Sequence, residues 1–286
     1  MEGSLDRRSF LTWLGKGSLA VAVFGLAACA DDEGATTTTT TGGTTSSAPS
    51  ATTPPTSSTV PSTAAPAETG TTAAPATTEA TVPADPGRWT RVDLGFVSAY
   101  ILVRDGEAAV VDTGVAGSGA RIESILTELG LGWEVVRHVI ITHLHRDHQG
   151  SLGEVLANAP EALGYAGAAD LPGIESPRPL TAVGDGDEVF GLRIIPTPGH
   201  TAGHIAVLDP ATSVIAAGDA ITGADAMGGQ AGEVAGPNPD FTPDMATAIE
   251  SVRKMAALEF DTIFFGHGTP VPAGGSEALA ALAATL

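Results

Sequence analysis

The stretch THLHRDH, residues 142–148, puts three histidines and an aspartate within six positions of a chain that holds only seven histidines, none of them before His138. Imidazole nitrogens and carboxylate oxygens in such a group are ligands for zinc, or for iron or manganese. Residues two apart on an extended chain share a side, so the spacing lets His143 and His145 face one point while Leu144 turns to the core. Neighbouring side chains diverge. Asp147 is therefore not expected to reach the ion held by His143 and His145, and Asp147 and His148 together define a second metal position. Two cations that share a hydroxide lower the pKa of water from 15.7 towards ~7 and make it a nucleophile for a carbonyl carbon.

Three more ligand-type residues follow, each beside a glycine: His200 in PTPGHTAGH (196–204), Asp219 in AAGDA (216–220) and His267 in FFGHGTP (264–270). Each stands at the end of an apolar run. Glycine at such places lets the backbone come close to a site. His204, on an apolar segment, reads as a packing or supporting residue rather than a ligand, and His138, at a strand start, as structural.

The elements that must carry these residues can be read from period and punctuation. WTRVDLG, SAYILVRD and EAAVVDTG read as successive short strands with a turn at Asp105-Gly106. In SGARIESILTELG the apolar positions Ile122, Ile125, Leu126 and Leu129 keep helical spacing, and Gly130 is a stop. HVIITH, FGLRIIPTPG, HIAVLDP, SVIAAGD and DTIFFGHG are further strands. TPDMATAIESVRKMAALEF is a helix, expected to open at Thr242-Pro243, and SEALAALAATL is a final helix. Two groups of strands, each with its helices, predict an α+β fold with two sheets inside and helices outside.

Ahead of this lies a different kind of sequence. DRRSFL (6–11) and the apolar run LAVAVFGLAA precede Cys29, the single cysteine of the 286 residues. The paired arginines look like a twin-arginine export signal, and LAAC (26–29) resembles a bacterial lipobox whose cysteine carries the lipid. A plain N-terminal membrane anchor is the alternative. Residues 1–29 are accordingly expected to direct export and to leave the protein lipid-anchored, through Cys29, on the outer face of a bacterial membrane. Residues 30–87 are rich in Thr, Ser, Ala and Pro, with no Lys or Arg between Lys16 and Arg88. So few large apolar residues cannot offset chain entropy, and the expectation is a disordered tether. The folded domain is expected over 88–286. With 33 acidic against 13 basic residues the chain carries a formal charge of -20, and no Lys/Arg cluster suits nucleic acid.

THLHRDH, PGHTAGH, GDA and GHG, with VVDTG at 110–114, resemble the metallo-β-lactamase superfamily in the branch related to glyoxalase II, over roughly residues 89–286. The resemblance implies the four-layer αβ/βα sandwich. It implies one zinc on His143, His145 and His200, a second on Asp147, His148 and His267, and Asp219 bridging the two. Asp112 would support the site from behind, as would His204, and Asp147 would orient the attacking hydroxide and assist with its proton. The implied activity is hydrolysis of a small carbonyl substrate: an ester, lactone, thioester or lactam.

Within the family the pattern narrows only in part. Asp219 stands where one large subclass of zinc β-lactamases has cysteine. No Lys or Arg follows Lys254, whereas glyoxalase II uses basic groups there for glutathione. One group of lactonases has tyrosine where this chain has Thr222. The segment 222–244 follows Asp219 directly, and Met227 and Phe241 are its bulky apolar residues, candidates with Thr222 for substrate contact. Two other classes resemble the motif set: a persulfide dioxygenase with a single iron, and a non-catalytic metal-binding lipoprotein.

Overall fold

A computed structural model describes residues 85–286; the signal-like segment, Cys29 and almost all of the Thr/Ser/Pro/Ala-rich stretch lie outside the described residues. Strands β1 (Arg88–Asp93), β2 (Ser98–Arg104), β3 (Glu107–Val111), β4 (Val136–Ile141), β5 (Leu163–Gly167) and β6 (Thr181–Val183) form one sheet in sequence order. The β1–β3 meander is antiparallel, and β3 to β6 run parallel. Strands β7 (Glu188–Val189), β8 (Leu192–Pro196), β9 (Ile205–Asp209), β10 (Val214–Ala216) and β13 (Thr262–Phe264) form the second, in the order β13-β10-β9-β8-β7. A small ribbon pairs β11 (Thr222–Gly223) with β12 (Val234–Ala235).

The two-residue period of each strand sorts its side chains into separate cores. On β2, Tyr100 and Leu102 join Val111 and Ile140 against Ile194, Ile205 and Val207 of the second sheet. Ala99 and Ile101 point the other way, onto α1 (Gly119–Glu128) and α3 (Leu152–Asn158) through Ile122, Leu126, Val155 and Leu156. Likewise Ala206 and Leu208 of β9 face α4 (Met245–Ala256) and α5 (Gly275–Ala283) through Val252, Met255 and Leu279. Both sheets are covered on both faces, which makes the αβ/βα sandwich expected from the strand and helix grouping.

Three local details differ from the sequence reading. Helix α4 starts at Met245 rather than at Thr242-Pro243, because the Asp244 carboxylate accepts the Thr247 N–H at 3.0 Å and so caps the first turn. Strand β4 ends at Ile141, so His143 and His145 lie past it in a bend, and a four-residue helix, α2 (Arg146–Gln149), follows. Residues 151–189, given no element above, hold α3, β5, β6 and β7. Residues 85–87 already touch the domain, since Arg104 donates to the Pro86 carbonyl at 2.7 Å. No helix among the described residues is long and apolar enough to cross a membrane.

Candidate metal centre

The segments after β4, β8, β10 and β13 meet along one edge of the sandwich, so side chains from both sheets converge there. His145 Nδ1 lies 3.1 Å from His143 Nε2 and 2.9 Å from His200 Nε2. His267 Nε2 lies 3.4 Å from His148 Nε2 and 3.3 Å from Asp147 Oδ2. Asp219 stands between the two triads. Its Oδ2 is 3.5 Å from His200 Nε2 and 3.2 Å from His267 Nε2, and its Oδ1 is 3.4 Å from His148 Nε2. All seven candidates named from the sequence are thus brought together: His143, His145 and His200 form one group, Asp147, His148 and His267 another, and Asp219 groups with His143 and His148 between them.

The outward ring atoms explain why the inward ones are available. His148 Nδ1 donates to Asp112 Oδ2 at 2.8 Å, and His267 Nδ1 donates to the Phe96 carbonyl at 2.7 Å. Thr142 donates its hydroxyl to Asp112 Oδ2 at 2.8 Å, which leaves its oxygen to accept from His143 Nδ1 at 3.0 Å. A proton held on the outer nitrogen leaves a lone pair on the inner one, the form a metal takes. The Asp219 Oδ1 atom is buried without a hydrogen-bond partner, and a buried carboxylate oxygen left unpaired is costly. These observations fit the residues to bound metal.

Electrostatics agree. Burial, reinforced by the His148 charge, pushes His143 well below the ordinary histidine value. Burial also takes His200 down to about 4, against the pull of Asp219. For His148 burial is outweighed by Asp219 and Asp112, and the ring is held well above its usual value. His267 is raised to about 10, because hydrogen bonds to Asp147 and Asp219 outweigh burial. Burial would raise Asp219, but the neighbouring His148 and His267 bring it well below the usual carboxylate range. The second triad with Asp219 therefore collects positive charge, as protons or as a cation.

The backbone allows this approach at particular places. A Cβ on Gly266 would fall 2.1 Å from Asp219 Oδ1 and 2.5 Å from the His148 ring, so only glycine fits. Asp112 adopts φ +59°, a left-handed conformation rare outside glycine. His204 does not join either triad. Its Nδ1 meets Thr197 Oγ1 at 2.7 Å and its Nε2 accepts the Asp219 N–H at 3.1 Å, so it fixes the backbone that carries Asp219.

The family follows from this site in its fold. Residues 92–267 match the model of the metallo-beta-lactamase superfamily. The chain belongs to the metallo-beta-lactamase superfamily. It is 34% identical over 170 residues to a hydroxyacylglutathione hydrolase of Rhodospirillum rubrum, a match covering 57% of this chain and 57% of that protein. It is 29% identical over 202 residues to a probable metallo-hydrolase of Bacillus subtilis, covering 57% of this chain and 75% of that one. A metallo-beta-lactamase family protein from Thermus thermophilus superimposes with a TM-score of 0.56 at 23% identity, over 70% of this chain and 79% of that one. The chain is a metal-binding member of the metallo-hydrolase class, and it spans little more than half the length of the hydroxyacylglutathione hydrolase it matches.

A cleft of about 860 Å³ opens onto the superfamily site, with His145, Asp147, His200, Asp219 and His267 at its floor. The three loop residues singled out from the sequence, Thr222, Met227 and Phe241, line it. Two residues went unnoticed. Phe96, at the β1–β2 hairpin tip, lines the cleft and stacks on His267, with centroids 6.0 Å apart and planes 12° apart. Its signal was an apolar residue in a turn, after Leu94-Gly95. Asp170 is fully buried and accepts the Leu144 N–H at 3.0 Å, the Thr201 hydroxyl at 2.6 Å and the Gly203 N–H at 2.6 Å. It joins the loop of His143 and His145 to that of His200. Nothing in the sequence around Asp170 marks it.

Proposed function

We propose that this protein is a dinuclear metal-dependent hydrolase of a small carbonyl substrate. One observation carries the reading: two groups of three ligand atoms, with Asp219 within 3.5 Å of members of both, stand at the floor of a single cleft. His143, His145 and His200 would hold one zinc, and Asp147, His148 and His267 the other. When bound, the pair supplies Lewis acidity to the carbonyl and makes water nucleophilic near neutral pH. The chain's own residues do the rest. Asp147, held below its ordinary pKa by the His267 hydrogen bond against the effect of burial, is ionised and faces the cleft. It orients the attacking water and takes its proton. Asp112 and the Phe96 carbonyl hold His148 and His267 in one tautomer each. Thr222, Met227 and Phe241 contact the substrate. No serine or cysteine nucleophile is required.

The test is metal quantification of the full chain, followed by turnover assays on an ester, a thioester, a lactone and a lactam. Two zincs per chain and turnover in at least one class are expected, and Asp147→Ala should lower kcat by roughly 10²-fold or more. A single iron with oxygen uptake would instead identify a dioxygenase. Bound metal with no turnover in any class would leave a binding protein. The twin-arginine and lipobox-like residues, with Cys29 as lipid attachment point, belong to this proposal as the route to the outer face of a membrane.

A further inference from the structure

The cleft is far larger than the metal positions need, and its upper walls are uneven in character. Among the described residues five large apolar side chains are exposed, and three of them, Phe96 (64%), Phe241 (63%) and Met227 (45%), stand on this one cleft. They come from two separate segments, the β1–β2 hairpin tip and the stretch after β11. Apolar residues scattered singly need no explanation, but a convergent group at a site does.

The charged residues point the same way. Arg146, on the rim, is turned outward to Glu175 at 2.9 Å. Arg91 is turned to Ser98 Oγ at 2.9 Å and the Gly268 carbonyl at 3.3 Å. Asp93 and Asp225 line the same walls, so acids match the two arginines before Asp147 and Asp219 are counted. A substrate with an anionic tail meets no surplus of cation here beyond the metal floor.

We propose that the cleft selects a carbonyl substrate whose acyl group is uncharged and apolar, several carbons long, and packed on Phe96, Met227 and Phe241. This rests on the hydrolase reading and adds a substrate class to it. Water adds to the acyl carbon, the bond to the leaving oxygen, sulfur or nitrogen breaks, the leaving atom gains a proton, and the apolar carboxylic acid departs. Phe96 has a double place. Its carbonyl fixes His267, while its ring extends the His267 face outward as a wall for the acyl chain.

The inference can be tested without turnover. Aceto-, butyro- and octanohydroxamic acids would be titrated into the zinc-loaded full chain by calorimetry; the metal-binding head is common to all three and cancels in their ratios. Affinity should rise about threefold to fourfold per methylene over the first several carbons, as expected for burying CH₂ groups. A Phe96→Ala, Phe241→Ala double variant should reduce the octano-to-aceto ratio at least tenfold, while Phe241→Leu keeps it within about threefold. A ratio near one in the wild-type chain overturns the inference and leaves the hydrolase reading intact. A full ladder without turnover of acetyl or octanoyl 4-nitrophenyl esters or thioesters, lactones or lactams does the reverse: the apolar subsite stands and the hydrolase reading falls.

Discussion

At the scale of single residues, the centre depends on groups that never face the cleft. Asp112 is buried at φ +59°, and its carboxylate accepts the Thr142 N–H, the Thr142 hydroxyl and His148 Nδ1–H. A strained backbone persists where surrounding contacts over-determine it. Asp112→Asn keeps the shape but replaces an acceptor oxygen with a donor, which meets the His148 or Thr142 donors. Metal affinity should fall about 10- to 100-fold, read by competition with a chromophoric chelator; an unchanged affinity would remove Asp112 from the supporting role. His204 carries a pH prediction. Burial, reinforced by His200, holds it at about 3, against about 6.5 unfolded. The unfolded chain therefore binds more protons as pH falls below about 6.5, and stability drops until pH approaches the folded value. His200 acts in the same direction down to about 4. His148 and His267, raised instead, add a small opposite slope near pH 6.5, where the unfolded rings are about half protonated, and almost none below about pH 5.5. Urea denaturation of the chelator-treated chain should show a loss of several kcal/mol between pH 6.5 and pH 4, and His204→Gln should flatten that slope.

Elements explain why some of this was legible in the sequence and some was not. Eight strands read correctly, β1 to β4, β8 to β10 and β13: most are five residues or longer and largely apolar, and the three-residue β10 and β13 overlap the apolar runs VIAA and IFF. Helix α1 showed its buried stripe because Ile122, Ile125 and Leu126 face one core. By contrast β6 has three residues and β7 two, too few for any period to appear. The ligands were legible because four crowd into residues 143–148 and the other three each stand beside a glycine, whereas the means of bringing their loops together was not. Asp170 lies just past β5, in the region that showed no pattern, and binds two ligand-bearing loops through contacts 26 to 33 positions away. Asp170→Ala strands the Leu144 and Gly203 N–H groups and the Thr201 hydroxyl in a buried place. Each unpaired group costs about 1–3 kcal/mol, so on the order of 3 kcal/mol of stability should be lost, together with metal affinity. Thermal melts at saturating and limiting zinc separate the two effects. A variant with wild-type Tm in both would show that Asp170 ties nothing together.

On the scale of the whole domain the ligands divide between the sheets. His143, His145, Asp147 and His148 follow β4 of the first sheet, while His200, Asp219 and His267 follow β8, β10 and β13 of the second. Each proposed cation therefore draws on both halves: His200 completes the triad of His143 and His145, and His267 that of Asp147 and His148. Apolar packing between the sheets, with Tyr100, Leu102 and Ile140 against Ile194, Ile205 and Val207, continues without any cation. Removing metal should consequently loosen the ligand edge rather than unfold the sandwich. Free zinc at 100 times its dissociation constant adds about 2.7 kcal/mol per independent site, so chelation should lower Tm while far-ultraviolet circular dichroism at 25 °C stays unchanged. Hydrogen exchange should then speed up in the segments 142–150, 197–204 and 217–223 and stay slow in β2 and β9. Uniform acceleration across both sheets on chelation would instead mean that the fold itself depends on its cations.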